Sequence, residues 1–322
     1  MFFVFTLSVT HAQQIATSAS ISFFEPSPTY HKTRFWTVTG IGTLAYTGFS
    51  IGFYNAWYGQ YPQSSFHLFN DVSEWRGIDK AGHIYGGYLQ SLLCYKGARW
   101  TGLSENKAIL TGALCGTLFQ ATIEVFDGFS TKWGFSLADI AANSVGVASF
   151  VAQQKLWHEQ RITIKESVWP VSYNNDPILS TDGGSTTNLK IRTDDLYGKS
   201  WGEKALKDYN VQTYWASFNV HSFLPDGNKW PQWLNVALGY GAGGMYGGFE
   251  NKWEEGGQTF DANQQFKRYS QFYIGLDYNL TKIKTSSPFI KSALSVLDIV
   301  KWPAPALEIN TKGEVIFHLV FF

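Results

Sequence analysis

The sequence predicts an α+β chain: an N-terminal apolar bundle of about four helices, followed by a C-terminal antiparallel β-rich region. Three observations carry this. Four apolar runs fill the first half of the chain. After Lys165 the texture changes to an Asn/Asp/Gly/Ser/Thr-rich stretch, SYNNDPILSTDGGSTTN, of the kind that connects elements. Beyond it apolar and polar residues alternate with a period of two, the pattern of half-buried strands. The implied organisation is a signal-peptide remnant over 1–13, a bundle over 30–165, a linker over 166–190 and a β-rich domain over 191–322.

The N-terminus, MFFVFTLSVTHAQQ, has an apolar core and ends in the small residues Thr10 and Ala12 before Gln13. It reads as the tail of a secretory signal peptide, without the usual basic start, so the chain is expected to be exported. The first run, Phe35–Tyr54, holds no charge and is long enough to cross a bilayer. Ala81–Tyr95, which contains His83, uncharged Ala108–Ile123 and small-residue-rich Ile140–Ala152 are shorter. They have the length of packed core helices or of membrane helices with polar ends. GHIYG (Gly82, Gly86) and GALCG (Gly112, Gly116) are spacings that let helix backbones approach closely. Trp57, Tyr58, Tyr61, Trp100, Trp133 and Trp157 flank the apolar ends, as interfacial aromatics do, and would equally cap a soluble bundle. Cys94 and Cys115 fall inside apolar runs and read as buried free thiols, with an inter-helix disulfide as the alternative. Two cysteines alone do not make a structural zinc site.

In the β-rich half, Tyr214, Ala216, Phe218 and Val220 share one face, with Thr213, Ser217 and Asn219 on the other. Leu234–Gly241, Phe272–Leu280 and Glu314–Phe322 alternate in the same way. GYGAGGMYGG (239–248) lacks the strand–loop–helix setting of a phosphate cradle and is expected to be a wide turn or a close backbone approach.

Composition narrows the function. With 25 basic and 25 acidic residues, nothing points to nucleic acid. Aromatic residues, at 17%, outnumber charged ones, at 16%, and there are 31 glycines; that balance suits an envelope or membrane-associated protein.

Three polar pairs stand at the ends of the apolar runs. Asp79 and His83 are spaced i, i+4; Glu124 and Asp127, i, i+3; Asp139 and Asn143, i, i+4. Each spacing puts both members on one helix face. Singly, each has an ordinary explanation: Asp79 as an N-cap, Ser136-x-x-Asp139 as a capping box, Asp127-Gly128 as a turn. Jointly they converge, because an up-and-down bundle brings the start of the second run, the end of the third and the start of the fourth to one end. Carboxylates and an imidazole gathered there need one another, water or a cation. Three chemistries fit: a divalent metal on His83, Glu124, Asp127 and Asp139, an acid/base pair, or a structural network that fixes helix register.

The motifs DKAGH, EVFDG, WGFS and DIAAN followed by Gly146 resemble the YfiM-like family of predicted periplasmic lipoproteins of unknown function. The order Asp-Lys…His, Glu, Asp-x-x-x-Asn-x-x-Gly also resembles the VanZ-like membrane family. The similarity covers roughly residues 70–155, and the combined spacing is fairly specific. KDYNVQTYWASFN, WLNVALGYGAGGM and PAPALEI look like parts of a longer, two-part version of the first family. The resemblance carries over Asp79, His83, Glu124, Asp127, Asp139 and Asn143 as the site positions. It implies an envelope location and no established catalytic mechanism. Asp-Gly after the glutamate and Trp133-Gly134 before the Ser-x-x-Asp depart from the VanZ-like order.

If all four runs span a membrane, Lys32, Arg34, Lys96, Arg99, Lys107, Lys155, Arg161 and Lys165 lie on one side and Arg76, Lys80 and Lys132 on the other. Such a bias places both flanks of the bundle in the cytoplasm, whereas a cleaved signal peptide places the new N-terminus outside. A bundle packed against the sheet removes the conflict. The expectation is an exported, membrane-associated envelope protein, at the periplasmic face or the outer membrane. Its role is structural or binding, with lipid, an envelope polymer or an envelope protein as partner and no nucleic acid. The alternative is a metal- or acid/base-dependent hydrolase or transferase acting on a lipid or envelope substrate.

Overall fold

His31 opens the first helix, its ring nitrogen accepting from the Arg34 amide. In this computed structural model residues 23–59 and 61–322 are described; the segment read as a signal-peptide remnant lies outside the described residues. Four long helices come first: α1 (Lys32–Trp57), α2 (Ile78–Trp100), α3 (Glu105–Gly128) and α4 (Leu137–Trp157). The central helix is α2, packed against both α3 and α4. Glycine makes those contacts close. A Cβ at Gly112 would lie 2.5 Å from the Ser91 carbonyl oxygen, and one at Gly87 2.6 Å from that of Asn143; Gly146 abuts the Ile84 carbonyl in the same way. The helix α1 lies outside these three, held by a Tyr46 ring edge-on to Phe119 and a 2.6 Å bond between the Tyr46 and Thr122 hydroxyls. Cys94 and Cys115 are free, half-buried thiols.

The rest of the chain builds β1 (Ile162–Val168), β2 (Ile178–Leu179), β3 (Thr186–Thr187), α5 (Leu189–Tyr197), α6 (Trp201–Lys207), β4 (Gln212–Phe218), β5 (Leu234–Gly243), β6 (Lys252–Glu255), β7 (Gln258–Asp261), β8 (Tyr269–Tyr278), α7 (Pro288–Leu297), β9 (Ala304–Asn310) and β10 (Val315–Phe321). Six strands form one antiparallel sheet in the order β1-β4-β5-β8-β9-β10. The sheet curls back on itself: Val300 bridges Glu166, and the Lys301 amide donates to the Glu166 carbonyl at 2.9 Å. The chain entering β9 thus bonds the free edge of β1. The elements β2, β3, α5, β6 and β7, with the stretches that flank β6 and β7, form a small cap with its own core of Ile178, Leu189, Tyr246, Trp253, Phe260 and Ala262. The run expected to continue through Val220 stops at Phe218; the Asn219 side chain accepts from the Ser222 amide and turns Val220–Phe223 into a 3-10 turn.

The face of the sheet turned inwards is the polar one. Lys165, wholly buried, sits 2.9 Å from Asp277 and 3.0 Å from Asp298. Ser217 donates to Asp277 at 2.6 Å, and Asn235 to Ser217 at 2.9 Å. Trp215, Tyr273 and Phe321 fill the remaining space. Gly239 is required there: a Cβ would sit 2.7 Å from the Trp215 ring. The glycine-rich stretch is therefore a close backbone approach.

Strands run beside the helices. At one end Ile78 of α2 packs with Ala242 of β5 and Met245; at the other, Trp157 of α4 meets Phe223. Between them Phe150, Ile164 and Tyr88 share a cluster. The sheet is alongside the bundle, not beyond its last helix.

Candidate functional site: an acidic pocket under the cap

The start of α2, the end of α3 and the start of α4 meet where the cap covers the bundle. Ser136 caps α4, its hydroxyl accepting from the Asp139 amide at 3.1 Å and donating to Asp71 at 2.6 Å. The Ser136 amide donates in turn to Glu124 at 3.4 Å. The approach to α2 is a turn in which Trp75, Arg76 and Gly77 all have positive φ (47°, 56° and 74°). For Trp and Arg this backbone is uncommon. It is held because the Trp75 amide donates to the Gly248 carbonyl at 2.7 Å and the Arg76 carbonyl accepts from the Tyr240 hydroxyl.

Lys80 is the centre of charge. Its ammonium lies 2.6 Å from Asp139, 2.9 Å from Asp71 and 3.0 Å from Asp79. His83 is next to it. Its Nδ1 is 3.0 Å from the Asn143 side-chain oxygen; because that oxygen only accepts, Nδ1 carries the proton. This leaves Nε2 facing Asp139 at 3.5 Å and Asp79 at 3.7 Å. Asp79, His83 and Asp139 each offer one ligand atom, all within 4.8 Å of one another. Glu124, wholly buried, brings Oε1 to 3.5 Å from His83 Nδ1, and that oxygen accepts no hydrogen bond. Asp127 stands further along α3 and accepts from the Tyr58 hydroxyl at 2.8 Å. All six positions singled out in the sequence therefore line or support one pocket.

Four further residues complete it. Asp71 and Glu74 come from the loop before α2, Tyr58 from the end of α1 and Tyr209 from the stretch before β4. Tyr209 donates to Asp79 at 2.7 Å. The Asp71–Tyr58 side was not signalled by helical spacing, because neither residue belongs to a periodic segment that shares a face with the pairs. Lys80 was visible in DKAGH but reads there as a flanking charge. The cavity these groups surround measures about 80 Å³ and is lined also by Trp57 and Trp133. A larger groove of about 460 Å³, between Tyr173, Tyr246 and Tyr269, holds no comparable set of acids and bases.

Burial sets the electrostatics. The Glu74 carboxyl is pushed up to about 7, with Asp79 and Asp71 adding to the effect. Burial also works to raise Asp71, but hydrogen bonds with Asp139, Ser136 and Lys80 hold it below its ordinary value. The Tyr209 phenol is raised by burial and by Asp79, and so stays a donor. In total six carboxyl groups (Asp71, Glu74, Asp79, Glu124, Asp127, Asp139) face two basic side chains, Lys80 and His83.

Residues 67–154 match a family model described as "Predicted periplasmic lipoprotein (DUF2279)". The matched segment holds α2, α3, most of α4 and every acidic residue of the pocket. It supports the broad periplasmic-lipoprotein likeness; the finer YfiM-like and VanZ-like motif orders gain no separate support from it. Neither the curated proteins nor the solved structures contain a match to this chain.

Proposed function

We propose that this is an exported cell-envelope protein with a binding role, and that the pocket under its cap takes a divalent cation. The observation that carries the reading is the convergence of His83 Nε2, Asp79 and Asp139 within 4.8 Å, in a pocket where carboxyl groups outnumber cations. Nitrogen and carboxylate oxygen together suit metals such as zinc or manganese. The Nδ1–H of His83 bonded to Asn143 is the outer contact that fixes the ring of a metal-binding histidine. Lys80 supplies positive charge to the pocket from within the chain, bonded to three aspartates. The matched family description supports the envelope location.

Metal analysis and calorimetric titration of the purified full chain with zinc, manganese, calcium and magnesium test this. One bound ion per chain is expected, lost in His83→Ala and in Asp139→Asn while circular dichroism stays native. No bound ion under any of the four metals overturns it.

A second reading is favoured by the buried, unpartnered Glu124 oxygen beside His83. A carboxylate placed there is an acid/base partner, and with a metal-activated water it would serve a hydrolase or transferase acting on an envelope or lipid substrate. Glu124→Gln separates the two: it would leave metal binding intact and abolish turnover.

A further inference from the structure

The sheet is inverted relative to that of a water-soluble domain. Soluble antiparallel sheets put their apolar face on a core and their polar face outside. Here the inner face carries Lys165, Asp277, Asn235 and Glu308, all buried, while the outer face of the far strands is apolar and open. Phe272 and Ile274 of β8 pair with Ile309 and Leu307 of β9, which pair in turn with Val315 and Phe317 of β10. Phe272, Ile274 and Ile309 are each about half exposed, and Phe317 is 67% exposed. No charged side chain interrupts these positions.

The helices show the same surface at the same level. Strand β5 runs along α2 from Ala242, beside Ile78, towards the end where Trp157 meets Phe223. Over this length Ile41, Leu44 and Ile51 of α1, Leu110, Leu114 and Leu118 of α3 and Val145 of α4 face outwards. Leu44 is 75% exposed. The charge-free stretch of α1, Phe35–Trp57, is about 34 Å long at 1.5 Å per residue, enough to cross the roughly 30 Å of a bilayer's hydrocarbon. Exposed hydroxyls on these helices, Thr37, Thr111, Thr122 and Ser144, donate back to carbonyls one turn earlier, so they present no unpaired donor.

Both rims of this belt are polar and aromatic. At the rim away from the cap Arg34 stacks on Trp100 at 4.6 Å and Arg161 on Trp157 at 5.2 Å. At the capped rim Lys207 stacks on Trp57 at 4.8 Å and Lys132 on Tyr61 at 5.0 Å. Aromatic rings with adjoining cations are what a headgroup region accepts.

We propose that the belt formed by α1, α3, α4 and the outer wall β8–β9–β10 is seated in the hydrocarbon of a lipid bilayer, with the acidic pocket and its cap on an aqueous side. A protein partner would have to be apolar all the way round the molecule to cover the same surface; lipid meets it from every side. The inference is independent of whether the pocket holds a metal.

Site-directed spin labelling tests it on the full chain in a Cys94→Ala, Cys115→Ala background, reconstituted into phosphatidylethanolamine/phosphatidylglycerol vesicles. Single labels are placed through Leu114→Cys, Ile274→Cys and Phe317→Cys, with Glu254→Cys on the β6–β7 hairpin as the aqueous control. These are surface positions, and far-UV circular dichroism checks that each variant is folded. Expected is at least several-fold greater collision with oxygen than with a water-soluble nickel chelate at all three belt positions, and the reverse at 254. Nickel access at 274 and 317 would overturn the proposal by showing the sheet wall in water. Exclusion of both reagents would also overturn it, and would assign the wall to a second copy or another protein.

Discussion

Replacing Lys80 by methionine removes the one ammonium that three aspartates share, at 2.6, 2.9 and 3.0 Å, and keeps the aliphatic stem. Asp71 and Asp139 are nearly inaccessible, and Asp79 and Lys80 only slightly more open. Breaking a buried ion pair costs about 3–5 kcal/mol because the remaining charge is left uncompensated; for this partly open cluster about 3 kcal/mol is the expectation. If the pocket takes a divalent cation, the variant has an added property. The ion replaces the missing charge, and at a hundredfold excess over its Kd it restores about 2.7 kcal/mol. Thermal unfolding of wild type and Lys80→Met, in detergent with chelator and then with each metal, measures both terms. The variant should melt well below wild type in chelator and recover most of the difference in one of the metals. A loss below about 1 kcal/mol, the range of a surface pair, would refute the charge accounting. A full loss that no cation relieves would leave the network as a structural one and refute the metal reading.

Two other outcomes follow from buried charge. Glu74 has a folded value near 7 against an ordinary 4.5, so between those values the folded chain holds a proton that the unfolded chain has released. Its contribution to stability is full below about pH 4.5, falls as pH rises to 7 and is flat above. Glu74→Gln should therefore flatten the pH dependence and stabilise by about 2 kcal/mol at pH 8 relative to pH 5, at about 1.4 kcal/mol per pH unit and allowing for partial exposure; urea midpoints at both pH values check this, and equal slopes would contradict it. Lys165→Met, inside the curled sheet, should cost about 3–5 kcal/mol because Asp277 and Asp298 are left unpaired. Adding Asp277→Asn should recover part of that loss in the same unfolding measurement.

The helix count, the antiparallel strands and the meeting of three helix ends were legible because each rests on local periodicity. Asp79 with His83, and Asp139 with Asn143, are readable as pairs because helical spacing fixes their shared face. Asp71, Glu74 and Tyr209 had no such frame: they reach the pocket from loops, positioned by the turn at Trp75–Gly77 and by the cap. The sheet was half legible. Alternation separates Tyr214 and Ala216 from Thr213 and Ser217, but a period of two does not say which face turns inwards. Hydrophobic burial would turn the apolar face in; Lys165, Asp277 and Asn235 show the opposite, and local pattern carries no signal of that inversion.

The positions of the charges follow one rule in both halves of the molecule. Within the helices the long charge-free stretches end where acids begin, at Asp79, Glu124 and Asp139, and those acids are covered by the cap and matched by Lys80 and His83. Within the sheet Lys165 is wholly buried behind the strand wall and bonded to two aspartates and the Tyr278 carbonyl. A lone charge facing hydrocarbon would cost several kcal/mol. In one half such charges are moved to the rim, and in the other they are enclosed and paired. An apolar exterior and a polar interior are thus not two separate peculiarities of the sequence. If the belt is seated in a bilayer as proposed, they are the two solutions by which helices and a curled sheet, placed side by side, meet the same apolar surroundings.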